Sequence, residues 1–124
     1  MPDSLPALIK ASRIQEKVRA VGFDWDERSQ VWDKVKEEMA EVQAEIENAD
    51  AQKTEQEFGD LLFSVVNACR LYNVDPETAL ERTNQKFIKR FKFLEQKTSE
   101  SGRSLKEMTL AEMDIIWEDA KKLK

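Results

Sequence analysis

Apolar residues recur along this chain at the spacing of a helix, with no run that alternates like a strand. Over residues 5–20 they fall at Ala7, Ala11, Ile14 and Val18, with Val21 just beyond, which predicts an amphipathic helix. "VGFDWDERS" breaks that period. Ser29 is then the predicted N-cap of a second helix over residues 30–48, with the stripe Val31, Val35, Met39, Val42, Ile46. After the polar loop "NADAQK", a third helix is predicted over residues 54–72, or from somewhat earlier. Thr54 and Glu57 stand at capping-box spacing. From Leu61 to Cys69 there is no charge, and apolar residues fall on nearly every face. Such a helix is expected to be central and buried on most sides. "NVDPET" ends it, with Asp75 as N-cap and Pro76 in the first position of a fourth helix reaching residue 98. That helix carries the stripe Leu80, Phe87, Phe91, Leu94. The loop "SESGRS" follows. Thr109 and Glu112, again at capping-box spacing, open a last helix with Leu110, Met113, Trp117 and Ala120 on one side.

The expected fold is therefore all-α, a bundle of about five helices forming one domain over residues 1–124. One helix apolar all round needs more cover than so few helices supply, so a homodimer is expected to complete the bundle. Composition narrows the function. Charged residues make up 36% of the 124 and the net charge is −5, which argues against a nucleic-acid backbone as partner. An anionic substrate stays open, because a bound cation can reverse the local sign. The chain has no histidine, which excludes Ser-His and Cys-His nucleophiles and histidine metal sites. Its one cysteine, Cys69, lies in an apolar run and reads as a core thiol. No apolar stretch is long enough for a membrane span, and "MPDSLPALIKAS" has no signal-peptide pattern, so the cytoplasm is the expected location.

Chemistry has to come from carboxylates, lysines and arginines. In "KEEMAEVQAE", Glu38, Glu41 and Glu45 share one edge of the second helix beside its apolar stripe. Alone, that edge reads as a solvated face with a weak Lys34–Glu38 pair. The third helix resists that reading. Glu57, Asp60, Ser64 and Asn67 form one polar line down an otherwise oily helix. A carboxylate at Asp60, directly before Leu61-Leu62-Phe63, is expected to be partly desolvated and in need of a partner. Two E-x-x-[ED] steps on consecutive antiparallel helices bring Glu38, Glu41, Glu57 and Asp60 around one point. Oxygen-only, anionic coordination suits Mg²⁺, with Mn²⁺ able to substitute. On the fourth helix, "TNQKFIKRFKF" supplies Lys86 and Arg90 on one face and Lys89 on its flank, cations that suit phosphate oxygens. Asn84 falls on the apolar stripe, where a polar side chain needs a partner. Solvated lysines with packed stems are the plainer account of the same residues.

"KVKEEMAEV", "EQEFGDLLFSVVNACR" and "ERTNQKFIKRFKFLE" together resemble the MazG nucleotide pyrophosphohydrolases, of the all-α NTP pyrophosphatase superfamily. The likeness extends from "RIQEKVRAVGFDWD" to "MDIIWEDAKK" and is strongest to the C-terminal domain of two-domain bacterial members. It implies Mg²⁺-dependent hydrolysis of a nucleoside triphosphate to the monophosphate and pyrophosphate, in nucleotide-pool housekeeping. By the same likeness, Glu38, Glu41, Glu57 and Asp60 hold the metal. Lys34, Lys86 and Arg90 contact the nucleotide, joined by Lys53, Lys89 and Asn84, and Trp117 stands near it. Trp117 also reads as an ordinary core aromatic. Glu37 matches the motif but points away from the Glu38–Glu41 edge. A carboxylate, Glu41 or Glu38, can help deprotonate the attacking water. Two rival readings stand beside this one: a non-enzymatic helical dimer serving as an interaction module, and a relative selective for dUTP or dCTP.

Overall fold

The computed structural model describes residues 5–123, whose regular structure is entirely helical. Met1–Ser4 and Lys124, parts of the expected domain and of the N-terminal stretch read for a signal, lie outside the described residues. Helix α1 (Ala7–Ala20) stops at Gly22, whose φ of +93° is strained for any residue with a Cβ. That turn lets the Gly22 N–H reach the Arg19 carbonyl at 2.9 Å and the Phe23 N–H reach the Val18 carbonyl at 3.2 Å.

Two predicted starts move. A 3₁₀ turn (Arg28–Gln30) precedes α2 (Val31–Glu47), and a capping box of Glu27 and Gln30 opens it. Ser29 lies inside that turn and is not the N-cap. The reason is that Gln30 reaches back to accept from the Glu27 N–H at 3.2 Å. Helix α3 (Ala51–Leu71) begins three residues before Thr54. Asp50 caps it, accepting from the Lys53 N–H at 3.0 Å, while the Thr54 hydroxyl donates to the Asp50 carbonyl at 2.7 Å. The Thr54–Glu57 box does not form, because the carboxylate upstream is the stronger acceptor for the exposed N–H groups. Asp50→Ala is expected to cost about 1 kcal/mol, read as a lower denaturant midpoint at unchanged slope.

The later starts stand as predicted. Pro76 opens α4 (Pro76–Glu100), with the Thr78 hydroxyl on Asp75 at 2.6 Å. Thr109 and Glu112 close a capping box on α5 (Leu110–Ala120), at 3.2 and 3.1 Å.

The chain divides into two units, Met1–Ala79 and Leu80–Lys124. In the first, α2 and α3 pack along each other and α1 lies against α3. The buried seam of α2 is Val31, Val35, Glu38 and Val42; Met39 and Ile46, expected in the stripe, are exposed. A glutamate thus holds a core position. Helix α3 is not buried on most sides. Ser64, Val66 and Ala68 are, whereas Phe58, Leu62, Phe63 and Val65 stay exposed. The physical cause is that α1 and α2 cover only part of its circumference. In the second unit Leu94, Thr98 and Ala120 are buried, Phe87 stacks on Phe91, and Leu80 and Leu110 of the expected stripes are exposed.

Candidate active site

Packing α2 against α3 brings three acids together. One carboxylate oxygen from each of Glu38, Glu41 and Glu57 lies within 4.8 Å of the other two. Glu38 reaches there from inside the α2 seam, where it is only 4% exposed. One turn earlier, Lys34 sets its Nζ 2.8 Å from Glu38 Oε1 and 3.4 Å from Glu37. The Glu38 carboxylate is the chief reason that the Lys34 ammonium holds its proton more tightly than usual. This is more than the weak surface pair read from sequence, since one partner is buried.

Glu57 shows the strain of the arrangement. Its carboxyl is pushed up to about 6, first by lost hydration, then by the Glu41 carboxyl against it, then by Asp60 and Glu38. Asp60 itself is exposed and borders the cluster, adding charge to it. Glu37 is exposed and turned to Lys34, as its position on the helix required. Glu45 continues the edge without joining the group.

Two oxygens of the cluster, Glu38 Oε2 and Glu57 Oε2, are closed off from solvent and have no hydrogen-bond partner. Buried carboxylate oxygens are ordinarily satisfied. Gathered negative charge with orphaned oxygens, and no nitrogen or sulfur donor, is chemistry that a hard divalent cation completes. The residues fit Mg²⁺ or Mn²⁺.

Beside the acids opens a cleft of about 630 Å³ whose walls include Lys34, Glu38 and Asp60. Other walls come from residues that sequence reasoning did not single out for function. Asp24, on the loop after α1, takes the Arg70 guanidinium at 2.8 Å, and Arg19 adds a longer contact at 3.5 Å. Arg70 holds the Asp24 carboxyl below its ordinary range. Asn67 Oδ1 braces the same guanidinium at 2.6 and 3.0 Å. Ser64 donates to the Leu61 carbonyl of its own helix at 2.7 Å. The lower half of the polar line on α3 therefore has a structural use: Asn67 orients Arg70, and Arg70 ties the "GFDWD" loop down. Asp24 and Arg70 are 46 residues apart, and no local pattern links them.

The remaining expected nucleotide contacts divide between the units. Lys53 is exposed in the first turn of α3. Asn84, Lys86, Lys89, Arg90 and Trp117 belong to the second unit. Asn84 is exposed and so is not a core polar group in need of a partner, because the stripe around it is itself uncovered. Lys86 and Lys89 are exposed and Arg90 is half-buried. Trp117 packs on Phe87 with ring centres 5.0 Å apart, which gives it a structural role.

Residues 27–94 match the MazG nucleotide pyrophosphohydrolase domain. The chain belongs to this family. The all-α expectation and the resemblance are both borne out. Over 117 residues, 94% of the chain, it is 45% identical to a Thermotoga maritima protein named nucleoside triphosphate pyrophosphohydrolase/pyrophosphatase MazG. It is 40% identical over 124 residues to an Escherichia coli K12 protein named nucleoside triphosphate pyrophosphohydrolase. The chain spans less than half of these MazG relatives, 45% of the first and 47% of the second. Among the described residues, no helix is long and apolar enough to cross a membrane.

Proposed function

We propose that this MazG domain hydrolyses nucleoside triphosphates to the monophosphate and pyrophosphate, with Mg²⁺ held by Glu38, Glu41, Glu57 and Asp60. The observation that carries this reading is the carboxylate cluster with two orphaned buried oxygens, set beside an open cleft. The names of the matched relatives support the substrate class. The bound cation supplies positive charge to phosphate oxygens and acidity to a water. The chain's own residues prepare the site. Lys34 Nζ lies 2.8 Å from Glu38 Oε1 and so helps to hold that carboxylate in place. Packing in the α2 seam fixes Glu38 in place, which spares reorganisation during the reaction. The likeness to the family assigns Lys34, Lys53, Asn84, Lys86, Lys89, Arg90 and Trp117 to the nucleotide. Phosphoryl chemistry needs positioning and positive charge more than a histidine.

The working form is read as a homodimer in the cytoplasm. Support for the dimer comes from α3, on which Phe58, Leu62 and Val65 share a face and are exposed. The rival reading as a non-enzymatic dimer shares that surface but leaves the orphaned carboxylate oxygens unexplained.

Incubation with a panel of ribo- and deoxyribonucleoside triphosphates plus Mg²⁺ tests the reaction. Equal amounts of monophosphate and pyrophosphate are expected, from one water added across the α–β anhydride bridge. Release of inorganic phosphate and diphosphate would overturn the stated bond cleavage, and no turnover would overturn the activity.

A further inference from the structure

One wall of the cleft is not held by apolar packing. Ile14 and Val18 on α1 and Phe63 on α3 line it from helices that are pinned together, since Gln15, the buried residue of α1, donates to the Phe63 carbonyl at 2.9 Å. Lys34, Glu38 and Asp60 join it to the acids. Phe23, Asp24 and Trp25 complete it from the loop after α1. None of residues 21–30 is buried. A segment with so few buried apolar contacts owes its position to polar ties.

The two ends of the loop are held locally. The Gly22 and Phe23 N–H groups bond to the last turn of α1 at 2.9 and 3.2 Å, and Glu27 with Gln30 forms the box before α2. Between those ends the tie comes from α3. Arg70, its side chain only 9% exposed, meets Asp24 with two N–H groups on two oxygens, at 2.8 and 3.3 Å. Such a fork sets direction as well as distance. Asn67 Oδ1 takes the adjoining edge of the guanidinium. Asp24 Oδ1 also accepts from the Trp25 backbone N–H at 2.9 Å. The chain Asn67–Arg70–Asp24 thus ends on the backbone of a residue of the cleft wall. Just past α3, Tyr72 accepts from the Trp32 indole N–H at 3.0 Å and lies under the Arg28 guanidinium, 4.8 Å from its ring centre. That tie secures the far end of the loop and leaves its middle to Arg70.

We infer that Asp24 and Arg70 are positioning residues for the nucleotide, their ion pair holding residues 23–25 where Phe23 and Trp25 wall the cleft around it. This rests on the reading of the site as one for nucleoside triphosphates and names what fixes the wall they bind against. Without the pair the segment spends only a fraction of its time in place, and apparent affinity falls by that fraction. Once nucleotide is bound the wall is in place, so the rate per bound molecule holds.

Asp24→Ala, Arg70→Met and the double variant test this beside the wild type. Calorimetry with Mg²⁺ and the α,β-methylene analogues of ATP, GTP, CTP and UTP reads binding without cleavage. Each single variant is expected to raise the dissociation constant about 10-fold, as for a wall in place about one tenth of the time. The double variant is expected to be no weaker than the singles, since either one removes the same tie. With cleavable triphosphates KM should rise to match while kcat stays within about twofold. Amide hydrogen exchange should quicken at residues 23–26 and keep its wild-type pattern in α2 and α3. Unchanged dissociation constants, additive losses in the double variant, or a fall in kcat at unchanged KM overturns the inference. So does exchange loosened throughout α2 and α3, or a wild-type protein that binds none of the analogues. If circular dichroism shows that Arg70→Met does not fold, Asp24→Ala decides alone. Weakened binding in the variants, with no pyrophosphate released by the wild type, would sink the proposed reaction and leave the positioning role. Pyrophosphate release with equal binding in all four proteins would do the reverse.

Discussion

Glu57→Gln is expected to lower triphosphate turnover about 10²- to 10⁴-fold while raising the melting temperature of the metal-free protein. The two halves of this prediction have one cause. Glu57 lies against Glu41 and near Glu38 and Asp60, and its carboxyl is pushed up to about 6. A carboxyl raised above its unfolded value gives stability that is present below about 4.5 and is lost as pH rises through about 6. At pH 7.5 the ionised side chain is therefore a liability to the metal-free fold. A neutral amide of the same shape removes that repulsion and removes a metal ligand with it. Loss of activity by unfolding would show the opposite sign in the melt. Glu38→Gln is expected to lose turnover to a similar degree but to lower the melting temperature, because it leaves the Lys34 ammonium without its 2.8 Å partner. Activity assays and thermal melts on the two purified variants check both signs. Full turnover in either variant sinks the assignment of these residues.

How far the sequence reached depends on the range of each interaction. Helix count and order follow from periodicity, and the start of α4 at Pro76 and the cap at Thr109 are local enough to read directly. Ser29 and Thr54 misled because each had a competitor a few residues upstream, Glu27 and Asp50, and spacing does not rank two candidate caps. The acidic residues were legible as two E-x-x-[ED] steps, and packing α2 on α3 does draw Glu38, Glu41 and Glu57 together. Their burial was not legible. Glu38 sits three residues after Val35 and four before Val42, and only the packed seam shows that this angle faces inward. Gln15, Asp24 and Arg70 were missed for a related reason. A glutamine on an amphipathic helix carries no sign of its burial. An Asp–Arg pair spanning 46 residues exists only once the loop after α1 folds back to α3.

Mg²⁺ should separate the enzymatic reading from the rival interaction module through its dependence on pH. At neutral pH, with the cation at about a hundred times its dissociation constant, a ligand taken by the folded state alone adds about 2.7 kcal/mol. For a domain of this size that corresponds to a rise in melting temperature of about 10 °C. The sign of the pH effect follows from Glu57. Its protonated form is favoured below about 6, and a cation has to displace that proton to bind. Mg²⁺ affinity is therefore expected to be level above pH 7 and to fall as pH drops through 6, toward tenfold per unit for one displaced proton. In Glu57→Gln the inflection near 6 should vanish together with most of the Mg²⁺ response. Melting scans from pH 5 to 8, with and without MgCl₂, on wild type and Glu57→Gln give all four curves. A module with a merely solvated acidic face predicts the same curve with and without the cation. A Mg²⁺ shift equal in both proteins would place the cation elsewhere on the chain.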